Sequence, residues 1–177
     1  MKKFKRIIAI TLSVLLLITS IPATALTAFA AAADDSNIVL GSNGKITRAE
    51  WLHNLVYVFE MVVEEEALPD NYYSDLDESH KYYEDILLAV EFGVVDVEAG
   101  DALRPDDAVT REFAASTLNF CLGYQLDEGA EYTFADYAEC LDPDSAQVAV
   151  DRNWFVLISG NFSPATLVTE SEVEFML

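Results

Sequence analysis

A threonine, an arginine and an acid recur just ahead of an apolar helical run, and this repetition constrains the fold more than any other feature of the sequence. The occurrences begin at Thr47, Thr110 and Thr169, which are 63 and 59 residues apart, although the third has Glu170 in place of the arginine. Other segments align at a similar interval: Ala89-Val90-Glu91-Phe92-Gly93 with Ala149-Val150-Asp151-Arg152-Asn153, and Tyr73-Ser74-Asp75 with Phe134-Ala135-Asp136. Self-similarity of this kind indicates stacked supersecondary units. We therefore predict one recurring unit of about sixty residues.

Each unit is expected to contain two helices. Apolar residues between positions 83 and 92 fall mostly three and four positions apart, which places them on one face of a helix. Gly93 follows where a left-handed C-cap is needed, and Asn153, at the equivalent position, tolerates the same conformation. Pro105 and Pro164 are expected to keep the residue before each of them extended. The second helix begins at the threonine, so the predicted fold class is all-α.

The threonines have the spacing of helix caps. Thr47 with Glu50, and Thr169 with Glu172, form the pattern of a capping box, in which hydroxyl and carboxylate each accept a backbone amide. In the middle copy Glu112 falls one position early, so only the hydroxyl cap and the favourable helix dipole remain. Each such cap contributes about 1 kcal/mol.

The arginines need a different explanation. Arg48 and Arg111 occupy the first helical position, where the helix dipole disfavours a cation by about 0.3 to 1 kcal/mol. Free amides at a helix start, joined by a guanidinium, provide a site for a carboxylate or a phosphate. Alternatively, each arginine pairs with a nearby acid of the chain, an exposed contact of little energetic value. The residues alone leave both interpretations open.

The middle copy resembles, in order and spacing, one nearly complete repeat of the S-layer homology (SLH) family. The residues that carry the resemblance are Tyr73-Ser74-Asp75-Leu76, His80, Tyr83, Ile86, Ala89-Val90-Glu91-Phe92-Gly93-Val94-Val95, Leu103-Arg104-Pro105 and Val109-Thr110-Arg111-Glu112-Phe113-Ala114. The resemblance extends over residues 45–177, with weaker flanking copies. It implies helical repeats packed as a pseudo-threefold bundle. It also implies noncovalent attachment to an anionic secondary cell-wall polysaccharide bearing ketal-linked pyruvate, bound in grooves between neighbouring repeats.

The resemblance further implies which residues line these grooves. The carboxylate would be bound by Arg48 and Arg111, and the helix starts would be set by Thr47, Glu50, Thr110 and Glu112. In the third copy Glu170 replaces the arginine, which suits the helix dipole but repels an anion. We therefore expect no anion site at the third motif. No metal and no cofactor are expected.

Residues 1–30 have the features of a secretory signal peptide. Four basic residues precede an almost wholly apolar stretch at 7–21, and Ala28-Phe29-Ala30 is a small-x-small cleavage site. We expect residues 31–44 to be a linker and residues 45–177 to be the repeat domain, with motif helices starting near 47, 110 and 169. Removal of the signal takes away four of the ten basic side chains and none of the 31 acids, so the formal charge becomes −25. Such a charge repels nucleic acid.

No nucleophile elbow, zinc-protease motif or phosphate loop occurs, and we expect no enzymatic activity. The acidic clusters around Asp75 and Asp136 lack the alternating acids and glycine of a calcium loop, so solvated acids are expected there. His53 is expected to be an ordinary helix residue. Trp51 and Trp154 lie at helical spacing and are expected in the core.

Two cysteines, Cys121 and Cys140, remain in a chain expected to be exported. A disulfide is possible in an oxidising compartment, but either residue could also be a small buried thiol. The sequence leaves their pairing open.

These expectations combine into an exported, non-enzymatic, wall-binding module at the bacterial cell surface. The alternative is a secreted helical protein that keeps the SLH scaffold, has lost glycan binding and contacts other surface proteins. Neither interpretation calls for nucleic acid, or for a membrane once the signal has been cleaved.

Overall fold

The structure is a computed structural model that describes residues 37–42, 44–63, 68, 70–95, 100–127 and 129–177. The chain divides into two units, Met1–Asn37 and Ile38–Leu177, and every element named below belongs to the second. The signal peptide predicted at 1–30 and part of the linker predicted at 31–44 lie outside the described residues. Within the described ranges, no helix has the length and apolar character needed to cross a membrane.

Helices make up the regular structure of the described residues. They are α1 (Arg48–Val58), α2 (Tyr83–Glu91), α3 (Arg111–Leu122), α4 (Pro143–Asp151) and α5 (Glu170–Met176), with a short 3₁₀ helix at Tyr137–Glu139. The only extended pairings in this part of the chain are isolated antiparallel bridges. The predicted all-α class is therefore confirmed for the described residues. The pseudo-threefold packing implied by the resemblance stays a prediction.

The core forms where each motif helix packs on the helix that follows it, α1 on α2 and α3 on α4. The largest fully buried side chains include Trp51 and Leu55 of α1 and Leu118 of α3. The Trp51 indole N–H donates to the Thr117 hydroxyl at 2.8 Å, so the ring joins α1 to α3 with its polar atom satisfied. Trp154 is also buried, which confirms the core placement predicted for both tryptophans.

Local signals at the helix ends are confirmed. The capping boxes of Thr47 with Glu50 and of Thr169 with Glu172 are both formed. Thr110 caps α3 through its hydroxyl alone, as the spacing predicts.

The left-handed positions predicted after α2 and α4 are also present. Gly93 has φ 77° and Asn153 has φ 59°, each just beyond the end of its helix. Both residue types tolerate this conformation with little strain, which is why the sequence shows where the helices end.

The amides at the start of α1 and α3 are not free. The first two amides of each helix donate to backbone carbonyls of the loop that precedes the next motif. These bonds run from Arg48 N to Asp107 O (2.9 Å), Ala49 N to Pro105 O (3.0 Å), Arg111 N to Thr166 O (2.8 Å) and Glu112 N to Pro164 O (3.2 Å). The expectation that such amides could receive an anion is therefore wrong, because tertiary contacts occupy them. Any anion site must depend on the side chains.

The residues before the two loop prolines are not extended, contrary to expectation. Arg104 has φ 56° and Ser163 has φ 59°. In each loop one carboxylate accepts two successive amides: Asp75 from Leu103 N (2.8 Å) and Arg104 N (2.7 Å), and Asp136 from Phe162 N (2.7 Å) and Ser163 N (2.8 Å). Hydrogen bonds to a charged acceptor are strong enough to outweigh the steric preference before proline. Asp75 and Asp136 thus have a structural role that the expectation of solvated acids missed.

Candidate functional site

A cavity of about 410 Å³ lies between the first and second motif helices. Its lining includes Arg48 of α1, Thr110, Glu112 and Phe113 at the start of α3, and Tyr73 and Leu103 from the intervening segment. We call this cavity the Arg48 groove. It brings together three of the six residues that the resemblance implied, from two consecutive motifs.

The Arg48 guanidinium is held by few groups of the chain. One terminal nitrogen, Nη1, donates to the Leu103 carbonyl at 2.9 Å, and the Cζ atom lies 4.7 Å from the centroid of the Phe113 ring. The Nε atom is buried without a hydrogen-bond partner among the described residues. No carboxylate of a described residue forms an ion pair with Arg48. The buried Nε cannot reach an external acceptor, so the donors that Arg48 retains for one are on its terminal nitrogens.

Arg48 is partly buried and has charged neighbours of both signs, and the carboxylates of Asp101 and Glu112 line the same cavity. Burial, followed by the charge of Arg104, lowers the pKa of Arg48 below its usual value, while Asp107 and Asp75 oppose this shift. A guanidinium nevertheless stays protonated in a protein. A partly desolvated cation without a contacting carboxylate gains more from an external anion than a fully solvated one does.

Arg111 occupies the equivalent position in α3 but pairs with a carboxylate of the chain, although its Nε, like that of Arg48, is buried without a hydrogen-bond partner among the described residues. It is only 6% exposed, and its Nη2 donates to Glu172 Oε1 at 2.8 Å. Its Nη1 donates to the carbonyls of Val156 (3.0 Å) and Phe162 (3.2 Å), and its Cζ lies 5.1 Å from the Phe155 ring centroid. Pairing with an acid of the chain, one of the two interpretations left open above, thus describes Arg111, but the pair is largely buried and not exposed as that interpretation expected.

The two arginines have different partners because one position of the following motif, the third residue after its capping threonine, holds different residues. Glu172 is the third residue after its capping threonine, and Phe113 is the third residue after Thr110. The arginine of the preceding motif contacts this position in both cases, as an ion pair with Glu172 and as a cation–π contact with Phe113. Sequence reasoning missed Phe113 as a site residue. The missing capping-box acid at position 113 was the signal that could have found it.

The remaining implied residues have structural contacts. Thr47 and Glu50 form the capping box that sets the start of α1, and they are not part of the groove lining. Glu112 accepts the amides of Leu141 and Asp142, the latter at 3.2 Å. Glu112 therefore ties the edge of the groove to the segment that leads into α4.

His53 forms a hydrogen-bonded pair with Asp85, Nδ1 to Oδ2, at 2.8 Å. The pair joins α1 to α2. His53 is thus a helix residue with a partner, as expected.

Both cysteines are free thiols, which answers the question that the sequence left open. Burial raises the pKa of Cys121 to about 12. Burial, followed by the charge of Glu112, raises the pKa of Cys140 to about 11. Thiols with such raised pKa values are poor nucleophiles, because the thiolate is the reactive form.

The family model for the S-layer homology domain matches residues 72–114. The match runs from the loop before α2 into the start of α3, so it confirms the recognition of an SLH repeat in the middle copy. The flanking copies lie outside it. SLH domains are in general non-catalytic modules that anchor proteins to the cell wall. Comparison with curated proteins finds no match to this chain.

Proposed function

We propose that this chain is a noncovalent cell-wall anchoring module, and that the Arg48 groove binds the carboxylate of an anionic, pyruvylated secondary cell-wall polysaccharide. The observation that carries the proposal is a partly buried guanidinium that contacts no described carboxylate and lines an open cavity between two motifs. A three-repeat bundle over residues 45–177, exported by a signal at 1–30 to the bacterial cell surface, belongs to the same proposal.

The groove offers chemistry that suits a ketal-linked pyruvate. Guanidinium donors bind carboxylates through charge-assisted hydrogen bonds, which are about twice as strong as neutral ones. The Phe113 ring holds the guanidinium on one side, which limits the orientations that Arg48 can adopt. Thr110 and Glu112 line the same cavity and supply oxygen atoms for sugar hydroxyls.

The other implied residues have indirect roles in this proposal. Thr47 and Glu50 cap α1 and so position Arg48, which is the first residue of that helix. Arg111 holds α5 through Glu172, and the proposal assigns it no ligand. Binding therefore depends on a single groove, and we expect affinity to rise when several copies of the chain are displayed together.

Retention on purified cell walls tests the proposal. The full-length chain is mixed with sacculi before and after chemical removal of the secondary polysaccharide, and the bound fraction is measured by sedimentation. We expect retention on intact sacculi and loss of retention on stripped ones. Equal retention on both would show that the polysaccharide is not the ligand.

The variant Arg48→Gln tests the assigned residue. It removes the charge from the groove, and we expect retention on intact sacculi to fall about tenfold or more. Because Arg48 loses one hydrogen bond to Leu103, the free energy of unfolding should fall by about 1 kcal/mol. Lys45→Gln is the control, since it removes one positive charge from an exposed residue outside the groove lining. Equal losses in both variants would mean that net charge, and not the groove, governs binding.

A protein-interaction module that has lost glycan binding is the second candidate. It is favoured by the engagement of Arg111 and by Glu170 in the third motif, which leave Arg48 as the one motif arginine without a described carboxylate partner. It also has exposed apolar side chains available, among them Leu141 and Val156. Absence of retention on either kind of sacculus would support this candidate.

A further inference from the structure

A short segment ahead of α1 packs on the folded domain without forming a helix or a strand. Residues 38–40 have no regular secondary structure, and Val39 and Leu40 are partly buried against the hydrophobic core. A tight turn follows, in which Ser42 N donates to Lys45 O at 2.9 Å and Lys45 N donates to Ser42 O at 3.2 Å. This turn leads directly to the start of α1. We call residues 38–40 the strap.

One buried side chain of α1 holds the strap. Asn54 is fully buried, with 0% exposure. Its Oδ1 accepts from the Val39 amide at 2.8 Å, and its Nδ2 donates to the Val39 carbonyl at 2.7 Å. This is the arrangement of a hydrogen-bonded residue pair in an antiparallel sheet, with the carboxamide in place of a peptide group. Asn54 therefore recognises main-chain atoms and not the Val39 side chain.

The strap depends on Asn54 for its polar contacts. Among the hydrogen bonds between described residues, those of the Val39 main chain go only to Asn54. The strap residues are half-buried, whereas the carboxamide beneath them is inaccessible to solvent. Water replaces both bonds once the strap lifts, so the strap can leave by a local opening that keeps α1 folded.

The equivalent position of α3 also receives a partner from the preceding element. Asn54 and Thr117 are each the seventh residue after their capping threonines, Thr47 and Thr110. The Thr117 hydroxyl accepts the indole N–H of Trp51, which belongs to the preceding motif helix. In α1 the strap supplies the donor instead. This position is therefore where a motif helix receives the element that comes before it.

From these observations we infer that Asn54 is a binding site for a peptide main chain, and that the strap is its intramolecular ligand. The ligand class is a short peptide that directs one N–H and one C=O to the carboxamide and packs apolar side chains against the core. The attached strap has a high effective concentration at the site and excludes peptides in solution. Release of the strap opens the site to such a peptide. The inference does not depend on the Arg48 groove or on the proposed function.

Peptide binding to the full-length chain tests this inference. The probe is a labelled peptide with the sequence of residues 37–42, and fluorescence anisotropy measures its Kd. Val39→Pro in the chain removes the N–H that Asn54 accepts and should release the strap. We expect the peptide to bind this variant at least about tenfold more tightly than the parent chain, whose own strap occupies the site. The same peptide with Val39→Pro is the matched control and should bind neither chain.

A second variant assigns the site to Asn54. Adding Asn54→Leu to Val39→Pro removes both hydrogen-bonding groups at similar volume, and the Kd of the peptide should rise about tenfold or more. Alone, Asn54→Leu should accelerate hydrogen exchange of the Val39 amide about tenfold or more, as measured by mass spectrometry. His53→Ala is the control, because it breaks the neighbouring pair with Asp85 and should leave exchange at Val39 unchanged.

Three outcomes would each overturn the inference: no peptide binding to the Val39→Pro chain, equal Kd values with and without Asn54→Leu, and unchanged exchange at Val39 in Asn54→Leu. None of them bears on retention by sacculi, so the proposed function would stand. Thermal melting shows whether each variant is folded. If Asn54→Leu does not fold, the comparison of the parent chain with Val39→Pro decides, because that change lies in the half-buried strap and leaves the core intact.

Discussion

Arg48 and Arg111 are equivalent residues with opposite environments. Each is the first residue of a motif helix, and each donates to a carbonyl at the same point of the following loop, Leu103 for Arg48 and Phe162 for Arg111. Arg111 then adds the ion pair with Glu172, whereas Arg48 lies against the ring of Phe113. We call the contact of Arg111 with Glu172 the closed junction, because an internal carboxylate pairs with the arginine. We call the contact of Arg48 with Phe113 the open junction, because no carboxylate of a described residue pairs with this arginine.

The comparison shows that one capping-box glutamate can stabilise two helices, its own helix through the cap and the preceding motif helix through an ion pair. Glu172 Oε2 accepts from the Thr169 amide (2.8 Å) and hydroxyl (2.9 Å), while its Oε1 accepts from Arg111. Loss of this acid at position 113 therefore weakens one cap and simultaneously frees Arg48. A change that is slightly unfavourable for local stability leaves Arg48 available for the anion that we propose it binds.

Replacing Glu172 with alanine should have the largest effect on stability. The change removes the capping box and leaves the buried charge of Arg111 unpaired, so we expect the free energy of unfolding to fall by about 4 kcal/mol. Glu50→Ala is the matched control, because it removes a capping box without an arginine partner and should cost only about 1 kcal/mol. Urea denaturation measures both values. Similar losses in the two variants would contradict a stabilising role for the Arg111–Glu172 pair.

Converting the open junction to the closed kind is the second test. Phe113→Glu places an acid where Arg48 can pair with it, and we expect retention on intact sacculi to fall about tenfold or more, because the ligand must displace an internal carboxylate. Phe113→Gln also removes the ring but adds no charge, so it loses only the orientation of the guanidinium by the ring, and retention should fall about two- to fivefold. Binding that is equally lost in both variants would assign Phe113 a packing role only.

The smallest expected effect concerns the acid at the edge of the open junction. Glu112 raises the pKa of Cys140 in addition to burial, whereas the equivalent position near the closed junction is Ser171. Glu112→Gln should lower the pKa of Cys140 from about 11 and increase its thiolate fraction at pH 8, so alkylation should accelerate about two- to fivefold. Iodoacetamide labelling followed by peptide mass spectrometry measures the rate. Cys121 is the internal control, since Glu112 does not contribute to its raised pKa; a parallel acceleration at Cys121 would indicate general loosening of the structure.

Features that depend on neighbours in the sequence were predictable. The capping boxes at Thr47 and Thr169, the hydroxyl cap at Thr110 and the left-handed residues Gly93 and Asn153 all occur where the sequence indicates. Each is controlled by groups within one helical turn, so residue type and spacing are sufficient to locate it.

Features that depend on partners far away in the sequence were not predictable. The amides at the start of α1 and α3 are occupied by carbonyls of the next unit, and Asp75 places Arg104 in the left-handed region before a proline. The sequence showed two arginines in a repeated motif but could not assign their partners, because ion pairs and cavities form between segments far apart in the chain.

The sequence by itself determined the repeating unit, its helical class and the starts of its motif helices, because periodicity and caps are local properties. Only the tertiary structure decided that Arg111 forms an ion pair with Glu172 and that Arg48 lies against the ring of Phe113 without a carboxylate partner among the described residues. The physical reason is that the electrostatic environment of an arginine depends on which groups surround it in space. The residue that differs between the two junctions, Phe113 or Glu172, lies one whole repeat away in sequence from the arginine that it contacts.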